Sequence, residues 1–280
     1  MTDEPTYTLS GFGDEIAPDL ATQLEVLSDA GLTHVDVRNV DETNVLDFSP
    51  EQVAAVQDTL AEYGFSVSSI GSPIGKVQIT DDFEPHLADF RTAVERAKQF
   101  DARYVRIFSY YYPEGDDPAE WRDEVMARME RKAEIAEAED VILVHENEKD
   151  IYGDTAARCR DIIETVDSPN LKAAFDPANF VEVGETPYPD ALLELVEHVE
   201  YLHIKDATTE GEITPAGEGD GGIPEILDVL ARRGFTGYTS LEPHLSQAGQ
   251  FSGYSGPENF TRAIEVLKAV MDDVGVTYDA

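Results

Sequence analysis

Four ionisable residues stand at equivalent places in the chain, each at the end of a short apolar run: Glu146 in "VILVHENE", Asp176 in "LKAAFDPANF", His203 in "VEYLHIKD" and Glu242 in "GYTSLEPH". Taken singly, such a glutamate caps a helix or meets solvent, and such a histidine packs with one hydrogen bond. Four of them at the mouths of four consecutive strands ask for a common cause, because converging carboxylates repel and force protons onto one another unless a cation sits among them. Three carboxylates and one imidazole form a mainly oxygen donor set that suits Mn2+ or Mg2+, with Co2+ or Zn2+ also accommodated. One divalent ion is therefore the expected cofactor. It would polarise a carbonyl and lower the cost of removing the proton on a neighbouring carbon. A carboxylate on each side could take that proton and return it to the same or the opposite face. Glu146 and Glu242, from the first and last of the four strands, are the expected acid/base pair.

Further candidates lie at other strand ends: Arg38 after "HVDV", Lys76 in "GSPIGK", Arg106 in "YVRIFSY", His145 beside Glu146, Lys205 two residues after His203, and Glu218 in the glycine-rich "GEGDGG". Basic residues are scarce here, with 20 Lys and Arg against 58 Asp and Glu. Convergence of two or more of Arg38, Lys76 and Arg106 would point to an anionic substrate such as a sugar phosphate or sugar acid. Two readings stay open for Arg106, which either faces substrate or pairs with buried acids of the interior. Lys205 likewise either reaches a substrate oxygen or pairs with a neighbouring acid. The tyrosines at 110 to 112 wall the pocket or pack the outer loop, and Glu218 shapes the pocket or sits in a simple turn.

These side chains need a frame that brings successive strand ends together. Strand-like runs begin near Tyr7, His34, Ser66, Tyr104, Val141, Leu171, Val199 and Gly237, and helical patterns separate them. In "PDLATQLEVLSDAG", Leu20, Leu24 and Leu27 share one face and Gly31 closes the segment. In "SPEQVAAVQDTLAEYG", Ser49 caps, Pro50 suits the first turn and Gly64 ends the helix. Eight strands alternating strictly with eight helices in 280 residues predict a single-domain (β/α)8 barrel spanning 1–280, whose active site lies at the C-terminal strand ends. No G-x-G-x-x-G fingerprint follows the first strand, which weakens an open dinucleotide-binding sheet.

The formal net charge is −38, with acid spread along the whole chain. That predicts a surface adapted to high salt and argues against nucleic acid or anionic membrane as partners. Neither a secretory leader nor a membrane-spanning apolar run is visible, so a cytoplasmic protein is expected. Cys159 is the single cysteine, which excludes an internal disulfide and a multi-thiolate metal site within one chain.

As a set, "SGFGDEIAPDLATQLEVLSDAGLTHVDVRNVDETNVLDFS", "SSIGSPIGKV", "YVRIFSYYYPEG", "VILVHENEKDIYGDT", "AAFDPANF", "YLHIKDA", "PAGEGDGGIPEIL" and "GYTSLEPH" resemble the sugar phosphate isomerase/epimerase family of xylose-isomerase-like barrels. That family includes ketose 3-epimerases, inosose dehydratases and hydroxypyruvate isomerases, and more distantly endonuclease IV. The resemblance implies a Glu-Asp-His-Glu metal site on Glu146, Asp176, His203 and Glu242, the two glutamates acting as acid and base on a sugar, sugar phosphate or polyol. It also implies a homodimer or homotetramer, for which "GQFSGYSGPENF" offers a lid or an interface. Two positions depart from the ketose 3-epimerases: Asn179 stands where they carry histidine, and Thr209 where they carry arginine. Isomerisation through an enediolate and an inosose-type dehydration share the first proton removal, so both stay open. A repair nuclease is disfavoured by only six histidines and an acidic surface, and a non-catalytic sugar-binding barrel by the intact ligand set.

Overall fold

The computed structural model describes residues 6–246 and 253–280. Eight parallel strands form the expected barrel: β1 (Thr6–Gly11), β2 (His34–Val37), β3 (Ser66–Ile70), β4 (Tyr104–Ile107), β5 (Ile142–Glu146), β6 (Leu171–Phe175), β7 (Val199–Ile204) and β8 (Tyr238–Leu241). Neighbours pair in the order β1-β8-β7-β6-β5-β4-β3-β2. Closure between β2 and β1 is a single parallel bridge, Phe12 to Asp36. Below that bridge a strand not expected from the sequence, β9 (Thr277–Asp279), pairs with Thr6–Thr8 on the edge of β1 that β8 leaves open. The edge of β1 at the seam is thus partly covered by this ninth strand.

The crossovers carry α1 (Leu20–Asp29), α2 (Pro50–Tyr63), α3 (Phe83–Gln99), α4 (Pro118–Glu139) and α5 (Ala156–Val166), and later α8 (Ile223–Arg232) and α9 (Pro257–Val274). Local chemistry sets their ends. Ser49 and Gln52 form a reciprocal capping box at α2, Pro50 occupies its first turn, and Gly64 closes it in the left-handed conformation at φ 72°. The sixth crossover departs from one continuous helix: α6 (Pro177–Glu182) and α7 (Leu192–Leu195) are short and separated by a Pro-containing turn at 187–191. Pro187 and Pro189 lack the N–H a continuous helix needs.

Side chains alternate along a strand, so residues two apart stack up the barrel interior. Tyr104, Ile142, Val144, Ala174 and Tyr201 pack together, with Tyr238 against them. A buried acid, Asp36, accepts hydroxyl hydrogen bonds from Ser10, Ser68, Ser69, Tyr201 and Ser240 at 2.5 to 2.8 Å. Ser68 and Ser69 both reach it because the β2–β3 register shifts between Val35 and Asp36, and a bulge turns two successive side chains inward. Among the described residues, no helix is long and apolar enough to cross a membrane.

Candidate metal centre

The next layer up is the mouth. Glu146 ends β5, Asp176 follows β6, His203 lies near the end of β7 and Glu242 follows β8. Each contributes one ligand atom to a group whose members all lie within 4.8 Å of one another, and all four residues are buried. His203 Nδ1 is 3.1 Å from Glu146 Oε1. Two atoms bound to one ion at about 2.1 Å and at right angles would be roughly 3 Å apart. Neither nitrogen of His203, nor Asp176 Oδ2, has a hydrogen-bond partner. His203 Nδ1 and Asp176 Oδ2 have charged neighbours, Glu146 at 3.1 Å and Lys205 at 3.2 Å, but form no aligned hydrogen bond, so this oxygen and imidazole donor set fits a divalent ion.

A floor and a rim hold these ligands. Phe12 meets the His203 ring edge-on with centroids 5.3 Å apart, and its face carries both guanidinium groups, Arg38 at 4.6 Å and Arg106 at 4.7 Å. Arg38 donates to Asp14 at 2.8 Å and also to Glu242. Arg106 donates to Glu146 at 3.2 Å and lies 3.6 Å from Glu242 Oε1. Lys205 donates to Asn179 at 2.6 Å and lies 3.2 Å from Asp176 Oδ2. The N-cap of α6 fixes Asp176, whose Oδ1 accepts the Asn179 N–H at 3.0 Å. Asn147 clamps the same turn, accepting from Asp176 N and donating to Asp176 O, both at 2.9 Å.

The electrostatics separate the carboxylates. Burial alone would raise all of them. His203 and Arg106 outweigh it at Glu146 and hold that group at about 2. At Glu242, hydrogen bonding to His244 and the charge of Arg38 keep the acid well below the usual range. At Asp176 burial wins over Lys205, and the group is pushed up to about 7. Burial opposes the charge on Lys205, but Asp176 and the nearby glutamates raise it. His244 is likewise lifted against burial to about 9 by Glu15 and Glu242.

Of the candidates named from sequence, Glu146, Asp176, His203, Glu242, Arg38, Arg106, Lys205 and Asn179 are brought together. Lys205 takes the ion-pair arrangement, and Arg106 does pair with the buried acids. Lys76 lies beside the cluster, paired with Glu148 at 2.9 Å. His145 is not brought in. By strand alternation it points opposite to Glu146, out of the barrel, where a Cβ on Gly153 would lie 2.8 Å from its Nε2. Glu218 is also not brought in. It is exposed, and the role of its loop is structural: Asp206 accepts the N–H groups of Gly217, Gly219 and Gly221 at 2.8 to 3.1 Å. Thr209 is exposed and donates to Asp220. Tyr110 packs into the core with its ring against His86, so it does not wall the mouth. "GQFSGYSGPENF" lies partly outside the described residues.

Sequence reading missed Asp14, Glu15 and His244. Glu15 accepts from His244 N and Ser255 Oγ, both at 3.0 Å, and His244 Nε2 lies 3.2 Å from Glu15 and 3.5 Å from Glu242. The signal was present: "GDE" follows β1 after one residue, Phe12, and His244 is two residues beyond Glu242.

The chain belongs to the xylose isomerase-like TIM barrel family, whose model matches residues 24–279. Among solved structures, a D-tagatose 3-epimerase-like protein superposes with a TM-score of 0.77 at 18% identity, covering 95% of this chain and 98% of that one. A xylose isomerase-like barrel protein from Mycobacterium smegmatis, in complex with magnesium, gives 0.70 at 21% identity over 96% and 98% of the two chains. The probable 3-DHS dehydratase AsbF from Bacillus anthracis gives 0.74 at 17% identity over 94% and 98%. A comparison with curated proteins finds no match.

Proposed function

We propose that this protein is a divalent-metal-dependent isomerase or epimerase acting on a carbohydrate or polyol by proton transfer through an enediolate. The observation that carries the reading is the group of four buried ligand atoms from four consecutive strand ends, with His203 and Asp176 Oδ2 left without hydrogen bonds. Glu146, Asp176, His203 and Glu242 would hold the ion, which supplies polarisation of a substrate carbonyl and a fixed position for an adjacent oxygen.

The chain's own groups supply the rest. Glu146 and Glu242 both approach Nη1 of Arg106, and both are held ionised, the state a proton acceptor needs. Arg38 and the Glu15–His244 pair orient Glu242. Lys205, positioned by Asn179 and Asp176, presents an ammonium to a substrate oxygen. Phe12 and the two guanidinium groups stacked on it form the floor of the site.

The experiment is incubation of Mn-loaded protein with a panel of keto-sugars and inososes in D2O, with product mass analysis. The account expects one deuterium in a product of otherwise unchanged composition, and no exchange by Glu242→Gln. Loss of one water would instead establish the dehydratase reading, because both reactions share the first proton removal. No exchange with any substrate in protein that retains metal would count against both.

A further inference from the structure

Phe12 is fully buried where the ends of β1, β2 and β8 meet. Its N–H donates to Leu241 O at 3.0 Å, one residue before Glu242, and it pairs across the seam with Asp36, two residues before Arg38. The backbone therefore fixes the ring between the elements that carry Glu242 and Arg38. Gly71, directly after β3, makes room for it: a Cβ there would lie 2.8 Å from Phe12 Cε1 and 3.0 Å from Arg38 Cβ. Any side chain at position 71 would displace the ring or Arg38.

Two like charges share that ring. Arg38 Cζ lies 4.6 Å and Arg106 Cζ 4.7 Å from its centroid, and its other contact is the His203 imidazole, whose plane stands at 82° to it. The same guanidinium groups divide the oxygens of the two glutamates. Arg106 meets Glu146 through Oε2, and both arginines meet Glu242 through Oε1. Glu146 Oε1, 3.1 Å from His203 Nδ1, and Glu242 Oε2 are thus left clear of arginine. Carboxylates do not satisfy the guanidinium groups fully, since Arg38 Nη2 and Arg106 Nε are buried without a hydrogen-bond partner. The negative face of an aromatic ring attracts a cation without bringing a charge of its own.

We propose that Phe12 is a positioning residue for the reaction: the negative face of its ring holds Arg38 and Arg106 on one oxygen each of Glu242 and Glu146, and so keeps the other oxygen of each for the ion. The inference rests on the metal-dependent reading of those glutamates. It assigns the effect to the ring's charge distribution rather than to its bulk. With a weaker ring face, the guanidinium groups lose their fixed place, reach both oxygens and compete with the ion.

The test replaces Phe12 by 4-fluoro-, 3,4-difluoro- and 3,4,5-trifluorophenylalanine, which nearly keep the ring's shape while draining negative charge from its face step by step. Phe12→Leu supplies an aliphatic end point, and folding is checked by circular dichroism. In molar KCl, titration calorimetry gives the Mn2+ dissociation constant. Nitrogen-15 NMR gives the water exchange of the Arg38 and Arg106 side-chain N–H groups, assigned through Arg38→Lys and Arg106→Lys. Both quantities rise along the fluorinated series, by about five-fold or more for the trifluoro ring, with Phe12→Leu at the far end. Exchange that stays flat along the series overturns the proposal, as does a flat Mn2+ affinity in protein that binds the ion. Loss confined to Phe12→Leu overturns it too, because bulk alone would then be at work. Exchange that rises along the series in protein holding no Mn2+ would refute the metal-dependent reading and leave the placement of the arginines by the ring standing.

Discussion

Lys132 shows what burial does to a cation without a counter-charge. Its side chain on α4 is fully buried, its Nζ lies 4.6 Å from the Tyr110 ring centroid, and no hydrogen bond reaches it. Burial, with Arg128 nearby, lowers its pKa from 10.5 to about 7. Between those values the unfolded chain holds the proton and the folded one does not. Stability contributed by this residue therefore falls as pH drops from about 10.5 towards 7 and levels off below, with a slope of up to about 1.4 kcal/mol per pH unit. Lys132→Met should flatten the pH dependence of the urea midpoint over that window. An unchanged slope in the variant would show that Lys132 is not the group responsible. Lys205 is the contrast: equally enclosed, it faces Asp176 and keeps its charge.

At the scale of elements, strand positions were legible because each is a short apolar run bounded by turn chemistry, and all eight expected starts fall within one residue of the observed strands. Three features were not. The seam strand β9 has no apolar alternation, since "TYD" gains its place from pairing with β1. The sixth crossover reads as one helix by count, but its prolines break the ladder. His145 was placed at the mouth by proximity to Glu146, although period-two alternation already sends adjacent residues to opposite faces. The four ligands were legible for the same reason that His145 should have been excluded: each lies on the inward parity of its strand. Asp14, Glu15 and His244 sit in turns beyond the strands, where no periodicity says which way a side chain points.

At the scale of the whole molecule, a barrel that buries Arg38, Arg106, Lys76 and Lys205 around its mouth leaves the rest of a −38 surface with still fewer cations. Self-repulsion of such a surface weakens the compact state at low ionic strength, and about 1 M salt shortens the screening length to roughly 3 Å. Raising KCl from 0.1 M to 2 M should therefore raise Tm by several degrees. A flat or falling Tm would show that the acid excess does not act through repulsion.

The claim on which the account turns is that Glu146, Asp176, His203 and Glu242 hold one divalent ion. Elemental mass spectrometry on protein purified in molar salt, alongside His203→Ala and Asp176→Asn with folding checked by circular dichroism, measures it directly. The account predicts close to one Mn, Mg, Co or Zn per chain in the wild type and a loss of at least ten-fold in both folded variants. Wild-type protein without metal after reloading, or variants that retain it fully, would contradict the site.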